Sequence, residues 1–131
     1  KGNKKIIMND LTSKRFKESL QEAIDLFNNQ EWYEAHDAFE DIWNDLVGDE
    51  RQIIQGILQV SVSQFHLNKG NVNGAMILLG EGLGRIKNRV SEDLEIDLVL
   101  LCSCLESLLN KLHSNIPLNQ SDIPFLRKLK K

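Results

Sequence analysis

The sequence has few of the residues that staple or interrupt a small fold. It contains two cysteines and two prolines in 131 residues. Cys102 and Cys104 are two positions apart, and such residues point to opposite sides of a helix, so we expect neither a local disulfide nor a metal or redox pair. We interpret both as reduced core residues of a protein in a reducing compartment. Pro117 and Pro124 mark an irregular C-terminal tail.

Long apolar runs and strand-like alternation are also lacking. No run approaches the roughly 18 residues that a membrane span requires, so no membrane partner is expected. The formal net charge of -3 gives no general attraction to nucleic acid, which is not expected as a partner either. The printed sequence begins Lys-Gly-Asn rather than with Met. We predict a cytoplasmic location, or a plastid one if a targeting segment is missing.

The motifs of common cofactors and of zinc hydrolases do not occur. Gly80-Glu-Gly-Leu-Gly84 superficially resembles a phosphate-binding loop, but no strand precedes it and no Gly-Lys-Ser/Thr follows it. The motif His-Glu-x-x-His is excluded because Asp37 follows His36 and position 40 is Glu. No Ser or Cys nucleophile stands at an evident spacing. We therefore expect no cofactor, and we interpret the glycines as sites of close helix packing or of a kink.

Helical periodicity, in contrast, extends over most of the chain. With 15.0 kDa and 41% hydrophobic residues, the chain is long enough for one domain with its own core. The periodicity and the short connections predict an all-α, compact single-domain bundle of about five antiparallel helices with helix 49–69 central. The predicted helices are 12–28, 31–46, 49–69, 72–90 and 91–113. We divide the chain into a loose lead-in (1–11), the bundle (12–113) and an irregular basic tail (114–131) with a last turn near 125–129.

Cap signals set the expected helix ends. Thr12, Asn71 and Ser91 are of the types that cap helix N-termini. Gly48 and Gly70 suit the left-handed position that follows a helix. Because three acids follow Ser91 within four residues, we expect the fifth helix to begin there.

Charge is spread unevenly along the chain. Residues 31–50 hold eight acids and no Lys or Arg, whereas the first seventeen residues hold six basic residues against one acid. The last five residues contain four basic side chains. These runs are interpreted as solvated faces and tails, with a weak basic contact surface for an acidic partner as the alternative.

Helix 31–46 carries a histidine inside its apolar face. At about 100° per residue, His36 lies within the arc that also holds Trp43, and Glu40 lies at its edge. The i, i+4 spacing of His36 and Glu40 sets an imidazole beside a carboxylate that can hold the ring in one tautomer. Glu34, near the helix start, points elsewhere but can reach a neighbouring helix.

Helix 49–69 is apolar over most of its circumference and carries a single polar line. The members of this line are Arg51, Gln55, Gln59 and His66. Such a helix is usually central, and a buried polar group without a partner costs about one to several kcal/mol. We therefore predict that Gln55, Gln59 and His66 lie opposite His36 and Glu40. Gly56 is expected to let a neighbouring helix approach closely.

Three interpretations of this constellation stay open. The first is a satisfied polar network that sets helix register. The second is a small-molecule or peptide pocket lined by Trp32, Trp43 and the polar groups. The third is a metal site built from His36, Glu40, His66 and, as a further ligand, Glu34. We expect no metal, because dimetal sites of helical bundles use paired Glu-x-x-His motifs and this chain has one His-x-x-x-Glu.

A family resemblance rests on these same residues. The run Tyr33-Glu-Ala-His-Asp-Ala-Phe-Glu-Asp-Ile-Trp43, followed by Gln55-Gly-Ile-Leu-Gln59 and His66-Leu-Asn-Lys-Gly-Asn71, resembles the domain of unknown function 309 family. The resemblance spans about 16–90 and implies a compact all-helical domain of bacteria, archaea and plastids with no established activity. The signature positions are Glu34, His36, Glu40, Trp43, Gln55, Gln59, His66 and Asn71. The family often has Gly where this chain has Gln30, so we expect the turn before the second helix to differ slightly.

Two classes of function follow from this reasoning. We predict a non-enzymatic binding or structural module with a buried His/Glu/Gln network and, as a binding partner, a small molecule or a peptide. The alternative is a metal-dependent or acid–base hydrolase in which His36 is the general base, Glu40 orients it and His66 assists. The absence of a nucleophile and of a cofactor motif favours the first class. A homodimer through an exposed face of the first or fifth helix stays open.

Overall fold

A computed structural model describes residues 11–130 and shows an all-α fold. The five α-helices of this part of the chain are α1 (Lys14–Asn28), α2 (Trp32–Trp43), α3 (Gly48–Asn68), α4 (Val72–Ile86) and α5 (Leu98–His113). A short 3-10 helix (Gln120–Asp122) follows, and the only β-type pairing among the described residues is an isolated antiparallel bridge between Ile96 and Lys128. The predicted all-α bundle is confirmed. No helix of the described residues is long and apolar enough to cross a membrane.

The first helix begins where a serine can cap it. Ser13 accepts a hydrogen bond from the backbone N–H of Phe16 at 3.1 Å and is the N-cap, one residue after the predicted Thr12. The apolar stripe of α1 is buried: Phe16, Leu20, Ala23 and Phe27. The helix stops before Gln30, whose φ of 63° is left-handed. Gln30 therefore keeps the conformation that a glycine would favour in this turn.

Helix α3 is the middle helix of the fold and packs against α2 on one side and α4 on the other. Its buried apolar residues surround most of the helix: Ile53, Ile54, Ile57, Leu58 and Val60. Burial on several sides explains why the sequence of α3 shows no simple two-faced pattern. The polar groups of α3 consequently lie along the borders with its two neighbours.

Two glycines set the close contact between α3 and α4. A Cβ atom on Gly56 would lie 2.7 Å from the carbonyl oxygen of Gly82, and a Cβ atom on Gly82 would lie 2.7 Å from the carbonyl oxygen of Gly56. Gly84 has open space at the corresponding position. The close approach predicted for Gly56 therefore occurs, and its partner is α4. The segment 80–84 lies inside α4 and forms no loop.

The fourth and fifth helices are shorter than their sequence pattern indicates. Helix α4 ends at Ile86 rather than at residue 90, and α5 begins at Leu98 rather than after Ser91. Left-handed backbone at Asn88 (φ 67°) and Glu95 (φ 56°) is incompatible with one continuous helix. Asp97 is the N-cap of α5, and its Oδ1 accepts from the N–H of Leu100 at 3.0 Å.

The C-terminal segment packs back onto the bundle in an extended conformation. The predicted turn near 125–129 is wrong, because this stretch pairs with 95–97 through Asp97 N–H to Arg127 O (2.8 Å) and Leu129 N–H to Glu95 O (2.9 Å). Asn28 of α1 bonds the backbone of Leu126 in both directions, at 2.7 and 2.9 Å. Leu126 itself is buried. The domain boundaries stay a prediction, and residues 1–10 of the lead-in lie outside the described residues.

The two cysteines of α5 are free thiols and are partly buried. Burial raises the pKa of the Cys102 thiol, and the neighbouring carboxylate of Glu106 adds to this effect. Burial likewise raises the pKa of the Cys104 thiol, with a further contribution from Asp122. Both side chains therefore stay protonated at neutral pH, and both lie at the margin of the core rather than within it.

Candidate functional site

The predicted site residues lie along the border between α2 and α3, which we call the α2–α3 seam. Arg51 at the start of α3 lies against Trp43 at the end of α2, and Phe65 near the end of α3 lies 6.1 Å, between ring centroids, from Tyr33 at the start of α2. These two contacts fix an antiparallel register. The positions of His36, Glu40 and Gln55 fall between them.

Arg51 and Trp43 together close the end of α2. The Nη1 group of Arg51 donates to the carbonyl oxygens of Leu46 at 3.1 Å and Trp43 at 3.4 Å. Its guanidinium lies 3.7 Å from the centroid of the Trp43 ring. A cation over an indole face and against carbonyls at a helix C-terminus stabilises that terminus electrostatically. Arg51 therefore has a structural role of its own.

Gln59 finds its partners on α4 rather than on α2. The side chain is 9% exposed, and its Nε2 donates to Glu81 Oε1 at 3.0 Å. Its Oε1 accepts from Arg85 Nε at 3.0 Å, and Arg85 Nη1 donates to Gln52 Oε1 at 2.7 Å. The prediction that Gln59 faces His36 and Glu40 is wrong, because the side chain bonds residues of α4. Glu81 and Arg85 are an acidic and a basic residue four positions apart on α4. This spacing was the signal in the sequence that could have identified them as the partners of Gln59.

His66 belongs to the turn between α3 and α4. Its ring lies 6.2 Å from that of Phe65, and its Nδ1 lies 3.4 Å from Nδ2 of Asn71. Asn71 in turn caps α4 by accepting from the N–H of Gly74 at 3.0 Å. The resemblance position Asn71 is thus explained as a helix cap. Apart from its ring contact with Phe65, His66 bonds toward this cap and not toward His36.

Four residues of α2 form a continuous surface, which we call the α2 patch: Tyr33, His36, Asp37 and Glu40. Their spacing of three or four residues places them side by side on one face of the helix. Tyr33 is 60% exposed, Asp37 and Glu40 are exposed, and His36 is partly buried. His36 Nδ1 lies 3.2 Å from Asp37 Oδ1, and one potential ligand atom from each of His36, Asp37 and Glu40 lies within 4.8 Å of the others.

The predicted residues thus divide into two groups by their contacts. Arg51, Gln59 and His66 are bonded within the fold, Trp43 lies against the Arg51 guanidinium, and His36 bonds Asp37. Glu34, Glu40 and Gln55 form no side-chain hydrogen bond or ion pair with any other residue of the described part of the chain. Tyr33 and Asp37 were absent from the predicted set, although the helical spacing of both from His36 and Glu40 could have identified them.

Family comparison gives one match, and it covers this seam. Residues 20–78 match the family described as "Domain of unknown function (DUF309)". No curated protein and no solved structure matches the chain. The matched residues include most of α1, all of α2 and α3, and the first part of α4. The match to the domain of unknown function 309 family thus covers residues 20–78 and, with them, the whole α2–α3 seam.

Proposed function

We propose that this protein is a non-enzymatic binding module and that its α2 patch recognises a basic segment of a partner protein. The observation that carries the proposal is Tyr33, a large aromatic side chain that is 60% exposed beside the carboxylates of Asp37 and Glu40. Tyrosine is enriched among residues that dominate binding at protein interfaces. The ring has little role in the packing of the fold, since its one aromatic-ring contact within the described residues is a tilted one with Phe65.

The charge of the surrounding surface selects a basic partner. Residues 31–50 contain eight acidic side chains and no lysine or arginine, and α2 contributes most of this stretch. A lysine or arginine that reached the patch would meet two carboxylates and an aromatic ring edge or face. Carboxylates form charge-assisted hydrogen bonds with such groups, and an aromatic face attracts a cation by about 0.5–1 kcal/mol at an exposed site.

The opposite side of the seam limits where that segment can lie. Lys69, the C-cap residue of α3, holds its ammonium 4.9 Å from the centroid of the Phe65 ring, and Arg51 covers Trp43. At each end of the seam, a basic side chain from the α3 side therefore already lies over an aromatic ring. A basic segment is directed toward the α2 side, where Glu40 and Asp37 have no lysine or arginine beside them among the described residues.

Contacts of the candidate nucleophiles support a binding role over a hydrolytic one. The hydroxyls of Ser61 and Ser63 are buried and donate to backbone carbonyls of their own helix. The thiols of Cys102 and Cys104 have raised pKa values because they are buried. His36 makes its side-chain hydrogen bond with Asp37, so no hydroxyl or thiol is paired with it for general-base activation.

Binding to a basic peptide tests this proposal. We expect a fluorescent amphipathic peptide of alternating leucine and lysine pairs to bind the wild-type protein, with binding weakened by salt. Glu40→Gln and Tyr33→Ala should each raise the dissociation constant roughly three- to tenfold, which corresponds to losing about 0.7–1.4 kcal/mol at the interface. Fluorescence polarisation at fixed ionic strength measures the constants.

Glu92→Gln is the matched control for this experiment. Glu92 is exposed and lies in the connection between α4 and α5, so the substitution removes the same charge away from the patch. It should leave peptide affinity unchanged. Equal weakening by Glu92→Gln and Glu40→Gln would show a non-specific response to net charge and would overturn the proposal, as would the absence of peptide binding.

A second candidate function is metal binding by His36, Asp37 and Glu40. One nitrogen and two carboxylate oxygens within 4.8 Å of one another form a ligand set that suits Zn²⁺ or Mn²⁺. This group differs from the predicted ligand set, because Asp37 is a member and His66 is not. A hydrolytic role would additionally need an ion-bound water at this exposed group.

Metal titration distinguishes this second function from the first. If the group binds Zn²⁺, His36→Ala should weaken binding at least about tenfold, because it removes the nitrogen ligand. Tyr33→Ala should leave metal affinity unchanged although it weakens peptide binding. Isothermal titration calorimetry of tag-free protein measures both, with His113→Ala at the exposed end of α5 as control. Equal losses in His36→Ala and His113→Ala would refute the site.

A further inference from the structure

A separate cleft of about 380 Å³ lies between the C-terminal part of α3, α5 and the segment around the 3-10 helix. Its volume falls within the roughly 300–1,000 Å³ typical of small-molecule sites. Apolar walls are formed by Trp32, Leu67 and Leu108, of which Trp32 is 5% exposed. None of the four residues of the α2 patch lines this cleft.

A buried amide opens into the cleft. Gln64 is 5% exposed and lines it, and its Nε2 donates to Ser63 Oγ at 3.2 Å. Its carbonyl oxygen accepts no hydrogen bond from the described residues. Within the described part of the chain, the one fully enclosed side-chain polar atom without a partner is Ser91 Oγ, so the Gln64 oxygen reaches open space. Buried polar atoms generally have a partner, and here the cleft is where a donor can approach.

Trp32 supplies the complementary group. Its indole N–H forms no hydrogen bond with a described residue, and it too is not fully enclosed. Trp32 is almost completely buried, and it lines the cleft. The lining of the cleft therefore includes a side chain with a hydrogen-bond donor, Trp32, and a side chain with an acceptor, Gln64.

The lining carries no unbalanced charge. Its one ionisable side chain is Asp122, whose carboxylate accepts from Lys111 Nζ at 2.8 and 3.1 Å and from the N–H of Asn119 at 2.9 Å. The Lys111 hydrogen bond, assisted by that of Asn119, holds the pKa of Asp122 below its ordinary value. The remaining polar lining is mostly amide, including Gln30 and Asn68 at the exposed margin. An ionic ligand would find no free counter-charge here.

We propose that this cleft binds an uncharged, planar ring that carries a cis-amide (lactam) edge. The N–H of such a ligand donates to Gln64 Oε1, its carbonyl accepts from the indole N–H of Trp32, and its ring packs on the side chains of Leu67 and Leu108. A lactam presents a donor and an acceptor on adjacent atoms and has no net charge. The site uses residues outside the α2 patch, so its test is independent of the function proposed above.

The test uses 2-pyridone as the probe and N-methyl-2-pyridone as its matched control, because methylation removes the donor and keeps the ring. In ¹H–¹⁵N spectra of the full chain, 2-pyridone should shift the Trp32 indole resonance and the Gln64 side-chain amide. The Trp43 indole serves as an internal reference that stays in place. N-methyl-2-pyridone should bind at least about tenfold more weakly, and so should benzoate, which is anionic.

Gln64→Met gives a second, protein-based comparison, because methionine is close to glutamine in shape. It should weaken 2-pyridone binding about tenfold, whereas Gln21→Met on the exposed side of α1 should not. If Gln64→Met does not fold, the comparison of the two pyridones on wild-type protein decides the matter. The absence of a Trp32 shift, or equal affinity for both pyridones or for benzoate, would overturn the proposal.

Discussion

Gly56→Ala and Gly82→Ala should each lower the free energy of unfolding by about 1–3 kcal/mol, the usual range for overpacking a tight contact. A Cβ on Gly56 would lie 2.6 Å from Ile86 Cγ1 and 2.7 Å from Gly82 O. A side chain can rotate away, but the backbone oxygen moves only with its helix. Since α3 and α4 would have to separate, this cost exceeds the gain of up to about 1 kcal/mol that alanine brings to a helix interior.

Gly84→Ala is the matched control, because it lies in the same helix with nothing near the added methyl group. It should raise the free energy of unfolding by about 0.5–1 kcal/mol through helix propensity alone. Urea denaturation followed by circular dichroism measures all three variants. If Gly56→Ala and Gly82→Ala stabilised the protein as Gly84→Ala does, the close α3–α4 contact would be refuted.

Phe27→Ala should destabilise the fold by about 3–5 kcal/mol, the range for removing a buried aromatic side chain. Phe27 is fully buried, and its ring makes edge-on contacts with Trp32 at 5.0 Å and Phe39 at 6.3 Å between centroids. The substitution would leave a cavity where α1 and α2 meet. Because domains of this size are stable by only about 5–15 kcal/mol, a large part of the total would be lost. Thermal and urea denaturation provide the measurement.

Tyr33→Ala provides the contrast, six positions further along the chain. Tyr33 is 60% exposed and contacts the Phe65 ring at 6.1 Å, so its loss should cost less than about 1 kcal/mol. Should Tyr33→Ala destabilise the protein as strongly as Phe27→Ala, Tyr33 would be a structural residue. The proposal that the α2 patch binds a partner would then lose the observation on which it rests.

Much of the candidate site was accessible from the sequence because it lies on single helices. His36 and Glu40 are one helical turn apart, and this spacing alone places them together on α2. Their neighbours Tyr33 and Asp37 follow from the same geometry. The sequence indicated the seam. It could not show which side chains of the seam already have partners within the fold, because the partners of Arg51 and Gln59 lie beyond their own helix.

The partners of the polar line on α3 illustrate this limit. Sequence reasoning placed Gln59 opposite α2, because His36 and Glu40 were the evident polar groups there. In the structure, Glu81 and Arg85 of α4 bond Gln59 instead. The choice depends on the rotation of α3 about its axis, and on the α4 side this helix packs closely through Gly56 and Gly82. The lining of the cleft that contains Gln64 could not be predicted from the sequence either, because it combines residues from four separate segments.

The sequence by itself determined the helical class and the approximate extent of α1 to α3. These properties follow from local periodicity and capping, which act over one or two helical turns. Only the tertiary structure decided where α4 ends, where α5 begins and which helix satisfies Gln59. Those outcomes depend on contacts between distant segments, such as the pairing of 95–97 with the C-terminal strand-like stretch. Ser91 has the residue type of a cap but starts no helix: residues 92–95 form turns, and Leu94 and Ile96 are buried in the segment that precedes α5.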